Sequence, residues 1–126
     1  MQTVQVLRTP DDRFVNLPDW SFAPRYTDVR QGDTVIRIAH GEESQRDERK
    51  VAMCIQGEPS CSYLYRKMLP VFTAAGHRVI APDLVGFGRS DKPGATSDYT
   101  YERHVDWMSQ WLTSNDLNHL TLVCQD

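Results

Sequence analysis

The chain has 126 residues, of which 40% are hydrophobic and 25% are charged, with a formal net charge of -3. This length suits one domain with its own core, and the weakly negative charge gives no basis for a nucleic-acid partner. No apolar stretch approaches the roughly 20 residues needed to cross a bilayer, so we predict no membrane partner.

The N-terminus and the cysteines bear on the cellular compartment. Met1 to Phe14 alternates polar and apolar residues and lacks the basic start and continuous apolar core of a secretion signal. Cys54, Cys61 and Cys124 form an odd set without C-x-x-C spacing, which argues against a disulfide framework and a zinc site. They suit small buried residues in a reducing compartment, so we predict a cytoplasmic protein.

The N-terminal third is predicted to contain an arm, a hairpin and a loop. Residues 1–26 carry three prolines among charged and aromatic residues, which favours an extended, surface-hugging arm. The alternating run Thr34 to His40 follows a turn signal and predicts a strand, with Tyr26 to Val29 as its hairpin partner. The charged stretch Gly41 to Lys50 predicts a solvated loop.

Two buried strands and a helix are predicted next. Val51 to Ile55 is short and nearly continuously apolar, as expected of a central parallel strand. Ser62 to Ala75 has apolar residues at helical spacing, and Pro70 should kink or divide that helix. Arg78 to Pro82 predicts a second buried strand, which leads into a long glycine-rich loop from Asp83.

The last elements are a helix and a strand. Tyr101 to Asn115 predicts an amphipathic helix, and Leu120 to Cys124 predicts a third buried strand. The helix face expected to cover the sheet consists of Tyr101, Val105, Met108, Trp111 and Leu112. The order of elements predicts parallel βαβ units, in which functional residues lie beyond the carboxyl ends of the strands.

A phosphate-binding function for the glycine-rich loop is a poor fit. A dinucleotide-binding sequence that starts at Gly86 and Gly88 needs a third glycine where the chain has Asp91. A P-loop needs glycine before its lysine and serine or threonine after it, whereas Lys92 stands between Asp91 and Pro93. Nucleotide binding is therefore not expected.

Two strand ends carry candidate chemistry. Gln56 to Pro59 predicts a tight turn whose backbone amides could form an oxyanion hole, although a simple strand-to-helix turn, with Glu58 as a surface carboxylate, fits the same residues. Asp126 ends the last strand, where a sharp turn would present a nucleophile, and Cys124 before it is small enough for such a turn. An aspartate at this place also suits a helix N-cap.

Taken together, these segments resemble the haloalkane dehalogenases, in the subfamily that carries the motif H-G-E-P. The resemblance runs in order through most of the chain. Its segments are Leu7 to Phe14, Gln56 to Ser60, Ser62 to Met68, Val79 to Pro93 and Thr121 to Asp126.

The resemblance implies a fold and a domain organisation. The fold is α/β, the N-terminal half of an α/β-hydrolase fold, with a mostly parallel sheet, an N-terminal hairpin and flanking helices. Residues 1–126 would then form an incomplete core domain, with residues 1–26 as its arm and with the helical cap domain and the C-terminal half absent. The full-length protein would be a monomer.

The resemblance also implies hydrolysis of a carbon–halogen bond in a small halogenated alkane by water, with no metal and no organic cofactor. Asp126 matches the nucleophile, whose carboxylate forms an ester that water later hydrolyses. The backbone amide of Glu58 matches one oxyanion-hole donor, and the residue after Asp126 would supply the other.

The sequence departs from the family at two places, with Gln56 where histidine is usual and Cys61 where tryptophan is frequent. No histidine of the chain matches the catalytic base, and these histidines are His40, His77, His104 and His119. We therefore expect the 126 residues alone to be inactive, and poorly soluble because the last strand forms an exposed apolar edge. The alternatives are an epoxide hydrolase and a non-catalytic truncated fragment.

Overall fold

The computed structural model describes residues 4–44 and 50–125. The strands are β1 (Val6–Leu7), β2 (Arg25–Gln31), β3 (Thr34–Glu43), β4 (Val51–Ile55), β5 (Arg78–Pro82), β6 (Lys92–Pro93) and β7 (Leu120–Cys124). The α-helices are α1 (Leu69–Ala74) and α2 (Tyr101–Ser114). Short 3-10 helices span Asp11–Phe14, Ser62–Tyr65 and Thr96–Asp98.

Five strands form the main sheet, in the order β2-β3-β5-β4-β7. β2 and β3 form the predicted antiparallel hairpin, and β3 also runs antiparallel to β5. β4 pairs in parallel with both β5 and β7. The sheet is therefore mixed, and its parallel part consists of β5, β4 and β7, the three strands that were predicted to be buried.

The prediction of a loop from Gly41 is wrong at its start, because Gly41 to Glu43 extend β3 and pair with β5. The Glu42 side chain is only 9% exposed, and its carboxylate accepts a hydrogen bond from Arg78 Nε at 2.8 Å. The ion pair between Glu42 and Arg78 thus stabilises a carboxylate that was predicted to be exposed to water. Residues 45–49 of the predicted loop lie outside the described residues.

The predicted division of the helix over residues 62–75 is confirmed. Ser62–Tyr65 forms a 3-10 helix, and α1 then begins at Leu69 with Pro70 in its first turn. Proline is tolerated there because the first N–H groups of a helix have no partner within it.

The α2 helix covers one face of the sheet with Trp107 and Trp111, both fully buried. They pack among Val29, Ile36 and other sheet residues. The predicted contact face is wrong at its N-terminal end, because Tyr101 is 81% exposed and Val105 is also exposed. The true contact stripe is centred on the two tryptophans, one of which the predicted face omitted.

The opposite face buries a second cluster, built on Tyr65, Leu69 and Cys54. The three cysteines are free thiols, and the prediction that they are buried is wrong for two of them. Cys54 is buried, Cys61 is half-buried and Cys124 is exposed.

The β7 strand was predicted to be buried, and this is wrong for the described residues. Its register pairs Met53 with Leu122 and Ile55 with Cys124, so one edge of β7 is satisfied by β4. Within residues 4–44 and 50–125 no strand pairs with its other edge, and Leu122 is 53% exposed. This confirms the predicted exposed apolar edge, while poor solubility stays a prediction.

None of residues 4–24 is buried, and the predicted arm over residues 1–26 is too long at its end because β2 begins at Arg25. β1 pairs antiparallel with β6, with Val6 opposite Pro93. Further along the arm, Pro18 O accepts a hydrogen bond from the Tyr63 hydroxyl at 2.6 Å.

None of the helices in the described ranges is both long and apolar enough to span a membrane.

Candidate active site

The three parallel strands end at one edge of the sheet, as the order of elements predicts. Loops follow β4 from Gln56 and β5 from Asp83, and Gln125 follows β7. The end of β7 lies beside the end of β4, because the Gln125 N–H donates to Ile55 O at 3.3 Å. The candidate nucleophile Asp126 lies one residue further on, outside the described residues.

The loop after β4 begins with a closed turn, in which the Ser60 N–H donates to Gly57 O at 3.0 Å. Glu58 lies in this turn with an exposed side chain, and its peptide bond to Pro59 is cis. The turn borders an open cleft of about 490 Å³. Residues that line the cleft include Glu58, Gly86, Phe87, Pro93, Tyr99 and His104.

Gln56 joins the loop after β4 to the loop after β5. Its side chain is buried, with 3% exposure. In the amide orientation that its neighbours require, the nitrogen donates to Pro82 O and the oxygen accepts from the Leu84 N–H, both at 3.0 Å. One neutral side chain therefore satisfies a backbone donor and a backbone acceptor.

Asp83 makes the reverse connection. Its carboxylate is 4% exposed and accepts from the Ser62 N–H at 2.8 Å and from the Arg89 N–H at 3.0 Å. Gly88 allows this arrangement, because a Cβ there would lie 2.6 Å from the Asp83 carboxylate. The two loops are thus tied together from both sides.

The far end of the β5 loop is anchored to the hairpin and to the arm. The Ser90 hydroxyl donates to Asp83 O at 2.6 Å and accepts from the Ala39 N–H at 2.9 Å. The Asp91 carboxylate, 2% exposed, accepts from Arg8 at 2.6 and 2.9 Å and from the Arg37 N–H at 2.9 Å. These contacts give the loop a fixed shape.

The environments of Lys92 and of two cysteines disfavour phosphate binding and catalysis by a thiol nucleophile. The Lys92 amine donates to Ser90 O at 3.0 Å and to Gly88 O, so it serves the loop backbone, and burial lowers its pKa. Burial raises the pKa of Cys61 and raises that of Cys54 to about 11, which keeps both thiols protonated and weakly nucleophilic at neutral pH.

The histidines are dispersed through the described structure. His104 is half-buried at the cleft, where it packs edge-on against Trp107, and burial lowers its pKa. His40 is buried beside Glu42 and Trp111, and burial also lowers its pKa. His119 is exposed and directly precedes β7.

Sequence reasoning placed Glu58 and the end of β7 at one edge of the sheet, and the structure brings these two segments together there. It missed the roles of Gln56, Asp83 and Ser90, which hold the loops. Their partners are backbone atoms of distant segments, so no local pattern reveals them. No group of three His, Cys, Asp or Glu side chains suited to a metal ion is found in the described part of the chain.

Comparisons with known proteins agree with this architecture. The profile of a family described as alpha/beta hydrolase fold matches residues 51–126. A haloalkane dehalogenase of Psychrobacter cryohalolentis is 56% identical over 124 residues, which are 98% of this chain and 41% of that protein. Haloalkane dehalogenase 1 of Mycobacterium tuberculosis is 52% identical over 98% of this chain and 41% of its own length.

Solved structures show the same likeness. The tetrameric haloalkane dehalogenase DpaA of Paraglaciecola agarilytica matches with a TM-score of 0.90 and 49% identity, over 98% of this chain and 41% of that one. An epoxide hydrolase of Vigna radiata matches with a TM-score of 0.67 at 24% identity, over 82% of this chain and 32% of that one, which is evidence of fold alone. The chain belongs to the α/β-hydrolase fold family and is homologous to haloalkane dehalogenases over 98% of its length, while it spans 41% of theirs.

Proposed function

We propose that the protein carrying this chain hydrolyses small haloalkanes to an alcohol and a halide, with Asp126 as the nucleophile. The observation that carries the proposal is the hydrogen bond from Gln125 to Ile55, which sets the end of β7 beside the start of the Gly57 to Ser60 turn. With these two segments adjacent, we propose that the Asp126 carboxylate faces backbone amides of that turn.

The reaction has two balanced steps. The Asp126 carboxylate attacks the halogen-bearing carbon, a carbon–oxygen ester bond forms, and the halide leaves with the bonding electron pair. Water then loses a proton to a general base and attacks the ester carbonyl. The bond from that carbonyl carbon to the alkyl-bearing oxygen breaks, the alkoxide takes the proton from the base and leaves as the alcohol with one oxygen of Asp126, and the new carboxyl group releases its proton to solvent. The Glu58 amide is proposed to stabilise the oxyanion of this second step.

The chemistry needs no metal and no organic cofactor, because the carboxylate is both the nucleophile and the temporary carrier of the alkyl group. We propose a cytoplasmic location, which the three free thiols support. The sequence predicts a monomer, whereas the Paraglaciecola relative is described as tetrameric. Light scattering on the purified protein decides between these two masses.

The direct functional test is halide release from 1,2-dibromoethane by the protein encoded by the gene that carries this chain. We expect bromide release above a buffer control, and its loss in Asp126→Asn. Asp116→Asn is the matched control, because Asp116 is exposed and its φ of 52° suits asparagine equally. Hydrolysis of styrene oxide without bromide release would instead support the epoxide hydrolase alternative.

A further inference from the structure

We propose that Gln56 is the positioning residue that holds the oxyanion-stabilising turn in place for ester hydrolysis. The proposal rests on the function proposed above and extends it to a side chain outside the reacting atoms. Gln56 directly precedes the turn from Gly57 to Ser60, so we expect loss of its side-chain hydrogen bonds to displace the Glu58 amide.

The position of Gln56 in the sheet explains why a side chain is needed there. The backbone register of β4 with β5 runs from Val51 opposite Arg78 to Met53 opposite Ile80. Beyond it, the amide of Gln56 reaches Pro82 O and the Leu84 N–H. The side chain thus continues the connection between the strands to the edge of the candidate site.

The Ile55 carbonyl adds a second constraint from the other side. It accepts from the Tyr65 hydroxyl at 2.6 Å and from the Gln125 N–H at 3.3 Å. The residue before Gln56 is therefore tied to the β7 end, and Gln56 itself is tied to the β5 loop. The distance between the Glu58 amide and the end of β7 depends on both connections.

The amide group suits this task because it donates and accepts at every pH. A neutral imidazole can also do both, but an imidazolium has two donors and leaves the Leu84 N–H without an acceptor. A carboxylate accepts from Leu84 but has no proton for Pro82 O. Gln56→His and Gln56→Glu should therefore fail at opposite ends of the pH range.

Other titratable groups lie on the surrounding elements, so each variant is read as a ratio to the parent at each pH. These groups are Glu58, Cys61 and Tyr65 after β4, Asp83 after β5, Lys92 on β6 and Cys124 on β7.

The affected step is the second one. Attack on the halogenated carbon places no charge on an ester carbonyl, whereas ester hydrolysis does, so misplacement of the Glu58 amide should slow hydrolysis selectively. We expect Gln56→Leu to release one halide per active site in a rapid burst. Its kcat in the steady state should then be lower than that of the parent by a factor of about ten or more. KM should fall together with kcat, because the ester accumulates when only its hydrolysis is slowed.

Gln110 provides a matched control. Its amide makes the same two-way bridge, accepting from the Arg30 N–H at 2.8 Å and donating to Arg30 O at 2.9 Å, but it joins α2 to β2 rather than two site loops. Gln110→Leu removes this bridge, together with a hydrogen bond to the Asp106 carboxylate at 2.9 Å, and should leave kcat and the burst unchanged. Thermal melting of both variants identifies any effect that comes from unfolding.

The test uses the encoded protein with 1,2-dibromoethane and measures the burst, kcat and the pH profile. The proposal predicts the burst in Gln56→Leu, relative activity of Gln56→His that falls with acidification, and relative activity of Gln56→Glu that rises with it. Folded Gln56 variants with parental kcat at all pH values would overturn it. An inactive parent would instead contradict the proposed function, so the two failures are distinguishable.

Discussion

At the scale of single residues, the candidate site depends on side chains that do not react. Asp83 and Gln56 each connect one site loop to the other through backbone atoms. A buried carboxylate or amide is stable only when its hydrogen bonds are complete. The hydrogen bonds of Asp83 and Gln56 consequently hold the two loops in one arrangement, so the position of the Glu58 turn is fixed in the absence of substrate.

Gly88 offers a residue-scale test of this arrangement. Gly88→Ala should lower the free energy of unfolding by about 2 to 4 kcal/mol, because the added Cβ collides with the Asp83 carboxylate at a φ of +53°. Gly32→Ala is the control, since it has a φ of +60° with nothing within 4 Å of the added Cβ, and should cost only about 1 kcal/mol. Chemical denaturation measures both values, and equal losses would contradict the collision.

At the scale of elements, the apolar runs predicted strands β4 and β5 and the α2 helix because local pattern decides buried segments. The length of β3 could not be predicted, since the partners that offset the burial of Glu42 include Arg78 on β5, which is distant in sequence. The exposure of β7 likewise depends on which strands flank it. The type of each element could thus be predicted from the sequence, whereas the burial of its residues depends on which elements pack against it.

The pairing of β3 with β5 predicts a pH dependence. Burial alone would raise the pKa of Glu42, but the hydrogen bond and charge of Arg78, with His40, hold that pKa below its ordinary value. Because the folded-state pKa is depressed, this stabilisation is present above the unfolded pKa and is lost as pH falls through the folded one. Acidification should therefore weaken the β3–β5 contact.

Glu42→Gln tests this dependence by urea denaturation between neutral and acidic pH. At neutral pH the variant should be less stable by about 1 to 3 kcal/mol, and the difference from the parent should shrink as pH falls. Glu43→Gln is the control, because within the described residues the Glu43 carboxylate accepts a hydrogen bond from the Thr73 hydroxyl at 3.3 Å and forms no ion pair with Arg78. A difference that stays constant or grows on acidification would contradict the assignment to Glu42.

At the scale of the whole molecule, the order of elements predicted the α/β architecture and site residues beyond the carboxyl ends of the strands, but not that β7 pairs with β4. The candidate roles of Glu58 and Asp126 came from family resemblance, because a turn and a strand-end aspartate have ordinary structural uses. The contacts of Gln56 with Pro82 and Leu84 were not predictable, since they join segments far apart in sequence.

The central claim is that Asp126 carries the alkyl group as an ester and is regenerated by water. Its most direct test is a single turnover of the encoded protein with 1,2-dibromoethane in water labelled with heavy oxygen, followed by mass spectrometry of the peptide containing position 126. We predict that one heavy oxygen enters Asp126 while the alcohol carries ordinary oxygen. Heavy oxygen in the alcohol with an unlabelled Asp126 would mean direct attack by water and would contradict the account.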